Sequence, residues 1–200
     1  MKFKLVIMAA AIASMFSVSA KAAVPIFSDN SDSYTPAQGN WNPPASSGWT
    51  VTNGTIDLVG PGFADFLPGN GNYIDLDGST FNSGLFLNDV SLTGGITYIL
   101  SFDLAGNQRG GGDAVNVNFG SASASHSLNS TDPFSTFTLS FTPGSTGLYG
   151  LSYQNIGGDN IGLLLDNVSI SPVPEPEAYA MLLTGLGLFG FVARRRKENT

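Results

Sequence analysis

The central part of the chain, residues 23–172, alternates between apolar and polar residues over short segments. We find no stretch in it with the apolar period of an amphipathic helix. Each apolar run is bounded by Gly, Asn, Asp, Ser or Pro, which favour turns. The predicted strands are 73–76, 84–92, 96–104, 114–119, 134–141, 148–154 and 161–170. Many short strands without helices between them predict an antiparallel β-sandwich or barrel.

Three segments predict how these strands pack. The residues on one face of two strands should form the core: Tyr98, Leu100, Phe102 and Leu104, and Phe137, Leu139 and Phe141. The run IGLLLDNVSI at 161–170 is almost continuously apolar, which is typical of a strand covered on both faces. Asn53-Gly54 predicts a two-residue hairpin that joins 51–52 to 55–59, because both turn positions need positive φ.

Both ends of the chain have segments that indicate a membrane. Residues 1–22 combine a basic start, an apolar run and a small-residue end, which is typical of a secretory signal peptide cleaved after Ala22, with Ala20 as the alternative. Residues 178–193 are uncharged, and a helix of this length spans ~24 Å against the ~30 Å hydrocarbon core. A basic cluster follows: Arg194, Arg195, Arg196 and Lys197. We expect one short transmembrane helix with a cytoplasmic C-terminus.

The charge of residues 23–172 excludes one class of partner. All twelve acidic residues there are Asp and the one basic residue is Arg109, so the net charge is −11. Nucleic-acid binding needs clustered Lys and Arg, so nucleic acid is excluded as a direct partner. The chain has no cysteine, which excludes disulfides and thiolate metal sites.

Four segments of the body occur in a recognisable order: GWTVTNGTIDLVG, GNYIDLDG, GITYILSFDLAGN and LLLDNVSIS. This order resembles the jelly-roll modules of exported bacterial proteins of the choice-of-anchor type, which are similar in pattern to galactose-binding-like folds. The resemblance covers about 27–171 and departs at Ser31, where an aromatic residue is usual. It implies that residues 23–172 form an all-β, antiparallel jelly-roll sandwich, flanked by the signal peptide and the C-terminal helix.

The same resemblance implies a structural calcium ion. Galactose-binding-like modules often hold Ca²⁺ with a carboxylate in the last strand and an acidic group near the N-terminus. The matching residues here are Asp166, in LLDNVSI, with Asp32 and less closely Asp29. Asp residues and backbone carbonyls supply the six to eight oxygen ligands that Ca²⁺ takes. The alternative is that Asp166 caps a turn or accepts a backbone N–H.

The segment that precedes the C-terminal helix is Val173-Pro174-Glu175-Pro176, an extended spacer because each Pro fixes φ and removes a donor. Followed by a short glycine-containing helix and an arginine cluster, it resembles the PEP-CTERM sorting signal of Gram-negative bacteria that make exopolysaccharide. The resemblance implies partners in the export machinery, signal peptidase and an exosortase, with cleavage near 173–177. It also implies delivery to the envelope surface or extracellular matrix, with 194–200 cytoplasmic until processing.

Candidate sugar-binding residues are aromatic or charged side chains in loops. Sugar faces stack on exposed aromatic rings, and their hydroxyls need polar partners. Trp41 in GNWNPP, Tyr73 and Arg109 are the candidates, whereas Trp49 is expected in the core. The alternative for Arg109 is a local salt bridge with Asp113.

No convincing catalytic constellation is present in the sequence. Asp75 and Asp77 are expected to face solvent, and the lone His126 is expected in a solvent-exposed, Ser-rich strand or loop without a G-x-S-x-G motif. We therefore expect a non-catalytic protein associated with exopolysaccharide or biofilm that binds carbohydrate. The alternatives are a purely structural envelope protein without a specific ligand and, third, a hydrolase that acts on polysaccharide.

Overall fold

The computed structural model describes residues 23–174 and 185–187. The predicted signal peptide and all of the predicted membrane helix except the helical residues 185–187 lie outside the described residues. So do Glu175 and Pro176 of the sorting motif and the basic residues at 194–197. Within the described ranges, no helix has the length and apolar character needed to cross a membrane.

Eleven strands in the described residues form two antiparallel sheets. They are β1 Phe27–Asp29, β2 Thr50–Thr52, β3 Asp57–Val59, β4 Tyr73–Asp75, β5 Leu85–Leu92, β6 Tyr98–Ala105, β7 Gly112–Phe119, β8 Ala122–Asn129, β9 Ser135–Phe141, β10 Gly147–Asn155 and β11 Leu164–Pro172. Sheet A has the order β3-β4-β11-β6-β9, with β1 paired to β11, and sheet B has the order β2-β5-β10-β7-β8. A short 3-10 helix spans Ala45–Ser47. The predicted all-β, antiparallel sandwich is confirmed.

The core lies between the inner faces of the two sheets. The alternating residues predicted to be buried on β6 are all buried, and sheet B meets them with Phe86, Val117, Leu151 and Tyr153. On β11, Leu165 faces this core. Leu164 points to the outer side, where it packs with Val59 and Tyr73 under the segment 60–72. The prediction that this strand is covered on both faces is confirmed.

The predicted hairpin around Asn53-Gly54 is wrong. β2 pairs with β5 in sheet B, whereas β3 pairs with β4 in sheet A. Asn53 does have positive φ, at 57°. However, the carbonyl of Thr55 accepts hydrogen bonds from the N–H groups of Gly78 and Gly84, which lie between β4 and β5. The turn therefore carries the chain from one sheet to the other.

The two ends of the sandwich differ in which parts of the chain lie there. The segment 23–174 begins and ends at the same end, since Ile26 N–H bonds to the carbonyl of Ile170 and Val173 N–H to that of Thr97. The opposite end, which we call the loop end, is crossed by the segments 76–84, 106–111, 130–134 and 156–163. β11 runs between the ends and is nine residues long, or about 25–30 Å.

Candidate ligand-binding face and acidic sites

The outer face of sheet B is open and mostly uncharged. Strand alternation places polar residues of three adjacent strands on it, and the register sets them side by side. We call these residues the polar face: Asn116, Asn118, Ser123, Ser125, Ser152 and Gln154. Asn118 Nδ2 donates to Ser152 Oγ at 3.2 Å. Because each amide has both donors and acceptors and each hydroxyl can act as either, this face suits a ligand rich in hydroxyl groups.

The polar face was not predicted from the sequence. The sugar-binding residues predicted from the sequence are aromatic or charged side chains in loops, whereas this surface is made of amides and hydroxyls on strands. A signal was present, because VNVNF at 115–119 and SASASHS at 121–127 alternate polar and apolar residues. Alternation of this kind predicts one polar outer face on adjacent strands.

The predicted stacking residues Trp41 and Tyr73 lie in the interior. Trp41 is 5% exposed: its N–H bonds to the carbonyl of Ile56, just before β3, and its ring packs against those of Tyr34 and Phe86. Tyr73 is fully buried, donates from its hydroxyl to Asp65 at 3.1 Å and accepts from Leu67 N–H at 2.7 Å. Burial raises the pKa of Tyr73 to about 12. Neither ring offers a face to a ligand, so this prediction is wrong; Trp49 is in the core as expected.

Arg109 is a structural residue of the loop end. Its Nη2 lies 2.5 Å from Asp75 Oδ2, in the one ion pair among the described residues. Its Nη1 donates to the carbonyl of Asn160 at 2.7 Å, and its guanidinium lies 4.5 Å from the centre of the Phe66 ring. The predicted salt bridge between Arg109 and Asp113 is therefore wrong, and a ligand-binding role for Arg109 is not supported. Asp75 is buried, which raises its pKa to about 7 even though Arg109 lowers it.

Asp77 is also buried at the loop end, where a solvent-facing position was expected for it and for Asp75. Its Oδ2 accepts from Asp159 N–H at 3.1 Å, and its Oδ1 has no hydrogen-bond partner. Nearby, Asn155 Nδ2 donates to Asp113 Oδ2 at 3.1 Å. Burial raises the pKa of both Asp77 and Asp113. The expectation is wrong because the segment 156–163 closes over the end of β4.

The proposed calcium residues Asp166 and Asp29 line one small cavity of about 10 Å³, together with Ser31. That volume is close to the space one water molecule needs. Asp166 is buried, and burial raises its pKa to about 7, with the charges of Asp32, Asp103 and Asp29 adding to the effect. Its Oδ1 accepts a hydrogen bond from the N–H of Asn167 at 2.7 Å. This is the backbone contact expected if Asp166 has no calcium to bind.

The third proposed ligand does not share this cavity. Asp32 Oδ1 accepts from Asn72 N–H at 2.9 Å, and its carboxylate lines a neighbouring groove. Asp29 is itself engaged, since its Oδ2 accepts from the Tyr34 hydroxyl at 2.5 Å and from Trp49 Nε1 at 2.8 Å. Within 23–174 and 185–187, no three acidic or histidine side chains form a group that could hold a metal ion. Asp166, Asp29 and Asp32 therefore do not form a three-carboxylate site.

His126 lies on β8 with its ring directed inward. The ring centre is 4.5 Å from that of Phe137 and 5.7 Å from that of Phe102. Burial lowers the pKa of His126, and its Nε2 has no hydrogen-bond partner. The expectation of an exposed histidine is wrong, and these contacts place it in the packing between the sheets.

Comparison with known proteins identifies the C-terminal segment. Residues 172–197 match the family model of the PEP-CTERM protein-sorting motif. The predicted motif Val173–Pro176 and the basic cluster lie inside this match. A search of curated protein sequences found no match to the chain.

Solved structures identify the fold of the body. A xylan-binding CBM22-1 domain of Paenibacillus barcinonensis Xyn10C is similar at a TM-score of 0.51 and 12% identity, over 78% of this chain and 99% of that one. The K3 cleaved adhesin domain of Lys-gingipain from Porphyromonas gingivalis W83 is similar at 0.52 and 13%, over 74% and 99%. An arabinose-bound α-L-arabinofuranosidase gives 0.49 and 14% over 72% of this chain, which spans a quarter (25%) of that enzyme's length. The chain thus combines a jelly-roll body, with the fold of carbohydrate-binding modules, and a C-terminal PEP-CTERM protein-sorting motif.

Proposed function

We propose that this protein is exported, carried to the cell surface or extracellular matrix, and binds neutral polysaccharide there without cleaving it. The observation that carries the proposal is the polar face of sheet B, where amides and hydroxyls are set side by side on adjacent strands. Hydroxyl groups of a sugar chain need both donors and acceptors, and these side chains supply both. The fold, which is that of carbohydrate-binding modules, supports the proposal.

The sorting motif supports the destination. A protein with this motif is directed to the cell envelope, and its motif implies processing by an exosortase. We propose that the N-terminal signal peptide starts export and that residues 178–193 hold the chain in the inner membrane until cleavage near 173–177. The partner at the destination is then the exopolysaccharide of the matrix or biofilm.

Calcium is a proposed structural ligand of the body. Asp166 would hold it, with oxygens of the segment around Asp29 and Ser31 that lines the same cavity. A divalent cation supplies positive charge to a cavity whose surrounding side chains are acidic. Bound there, it would tie the start of the chain to β11, next to the pairing of β1 with that strand.

The test is retention of the exported protein on a glycan array and on insoluble xylan and β-glucan, in Ca²⁺ and in EDTA. We expect retention of the wild-type protein. The double variant Asn118→Ala/Gln154→Ala should be retained about tenfold less well, because it removes two amides from the polar face. Thr138→Ala on the exposed side of β9 in sheet A is the matched control and should bind like the wild type.

The alternatives predict different results. A purely structural envelope protein would be retained on no glycan in either buffer, which would contradict the proposal. A hydrolase would release reducing sugar from the retained polysaccharide, and that release would contradict the non-catalytic assignment.

A further inference from the structure

The side chain of Phe81, at the loop end, is unusual in both exposure and backbone conformation. It is 70% exposed, and its φ is 58°. Bulky side chains rarely adopt positive φ, because Cβ then crowds the backbone. Four of the eight non-glycine residues with positive φ in the described ranges are Asn, and Phe81 is the one aromatic residue among them.

The loop that carries Phe81 is held from both sides. Phe81 N–H donates to Asn160 Oδ1, and the hydroxyls of Thr55 and Thr80 are 2.7 Å apart. Ser83 Oγ donates to the carbonyl of Asn155 at 2.9 Å. The conformation is therefore imposed by its surroundings. Because the ring is exposed, no gain from burying it offsets the strain of the backbone. Strain of this kind is concentrated at functional sites.

An apolar residue and a polar groove lie beside this loop. Ile156, 52% exposed, belongs to the segment to which the Phe81 loop is bonded. Ile156 also lines a groove of about 430 Å³, together with Asp113, Ser127 and Asn129. The groove begins on the outer face of sheet B, since Ala114 and Ser127 are cross-strand partners there. The polar face, the groove and the Phe81 loop thus follow one another towards the loop end.

The charge of the loop end narrows the class of ligand. Asp77, Asp113 and Asp159 lie there, while Arg109, the only basic residue of the body, is bonded to Asp75. Anionic polysaccharides and nucleic acids would be repelled. A neutral sugar ring has an apolar face that can stack on Phe81 and hydroxyls that can donate to carboxylate and amide oxygens in the groove.

The position of the loop end fits contact with an external polymer. The sorting tail leaves the sandwich at the other end, where Val173 N–H bonds to the carbonyl of Thr97. β11 separates the two ends by about 25–30 Å. A body attached through its tail would therefore present the Phe81 loop away from the point of attachment.

We propose that Phe81 is a stacking platform for a sugar ring of a neutral polysaccharide whose chain continues through the groove at Ile156 and Asp113. The proposal rests on the proposed function and adds to it a second subsite and a selectivity for uncharged chains.

The experiment measures retention of the full chain on xylan, β-glucan and alginate for three variants. Phe81→Asn removes the ring and suits positive φ, so its thermal midpoint should equal or exceed that of the wild type. Its retention on the neutral polysaccharide should fall about tenfold. Phe81→Tyr keeps a ring and should retain binding. Ile99→Asn removes an exposed apolar residue at the other end and should have no effect on retention.

Each other outcome overturns the proposal. If the wild type is retained and Phe81→Asn is retained equally well, the stacking platform is wrong while the proposed function stands. If no polysaccharide retains the wild type, the proposed function fails and this inference fails with it. Stronger retention on alginate than on the neutral polymers overturns the selectivity. A change in sedimentation of Phe81→Asn with unchanged retention assigns the ring to a contact between protein molecules.

Discussion

Asp75 and Asp166 are two buried carboxyl groups, and burial raises the pKa of each to about 7. The charges around the two groups have opposite signs. Asp75 is paired with Arg109 and accepts two backbone N–H groups, from Asp77 and Gly162. The charges around Asp166 are all acidic, and its cavity is shared with Asp29. The fold thus supplies a basic partner to Asp75 and, among the described residues, none to Asp166.

The largest expected effect on stability comes from breaking the ion pair between Asp75 and Arg109. Arg109→Met leaves Asp75 buried without its cation, and we expect a loss of about 3–5 kcal/mol in the free energy of unfolding. Chemical denaturation measures this loss. The double variant Arg109→Met/Asp75→Asn should recover part of it, because no charge is then left unpaired. A single variant as stable as the wild type would show that the pair does not hold the loop end together.

The next prediction concerns calcium binding at Asp166, which has no basic partner in the part of the chain that the structure describes. Calcium at a hundredfold excess over its dissociation constant should add about 2.7 kcal/mol, or roughly 5–10 °C in the thermal midpoint. EDTA should remove the gain, and Asp166→Asn should abolish it, whereas Asp75→Asn should keep it. An equal thermal midpoint in calcium and in EDTA would show that this cavity does not bind the proposed calcium ion.

A third effect concerns pH in the absence of calcium. The folded pKa of both groups lies above the unfolded value of 3.8, so each contributes stability that is fully present below pH 3.8 and is lost as pH rises through about 7. In EDTA, the contribution of these two groups should therefore lower the thermal midpoint from pH 4 to pH 7. Asp166→Asn should reduce this slope. A slope identical to that of the wild type would show that Asp166 does not titrate in this range.

The sequence predicted the strands better than their partners. Alternation on β6 and the apolar run of β11 located core residues correctly, because the pleat fixes which side chains share a face. The hairpin at Asn53-Gly54 failed because local turn chemistry does not show which sheet the next strand joins. That choice depends on hydrogen bonds from residue 55 to the distant β4–β5 connection.

The candidate site was predicted less well for a similar reason. The resemblance grouped Asp166 with Asp32 and, less closely, with Asp29; Asp29 lines the same cavity as Asp166, whereas Asp32 lines a neighbouring groove. Trp41 was expected at the surface because its sequence context is loop-like, and Asp75 because it was placed on the polar side of a strand, but long-range contacts bury both. The backbone conformation of Phe81 likewise involves a distant residue, since its N–H donates to Asn160 Oδ1.

Binding to a neutral polysaccharide is the central claim, and retention of the full chain on insoluble xylan and β-glucan tests it most directly. We predict that the wild type is retained on at least one of them in calcium and that Asn118→Ala/Gln154→Ala is retained about tenfold less well, with Thr138→Ala unchanged. Absence of wild-type retention on every neutral polysaccharide, or equal retention of the polar-face variant, would contradict the account.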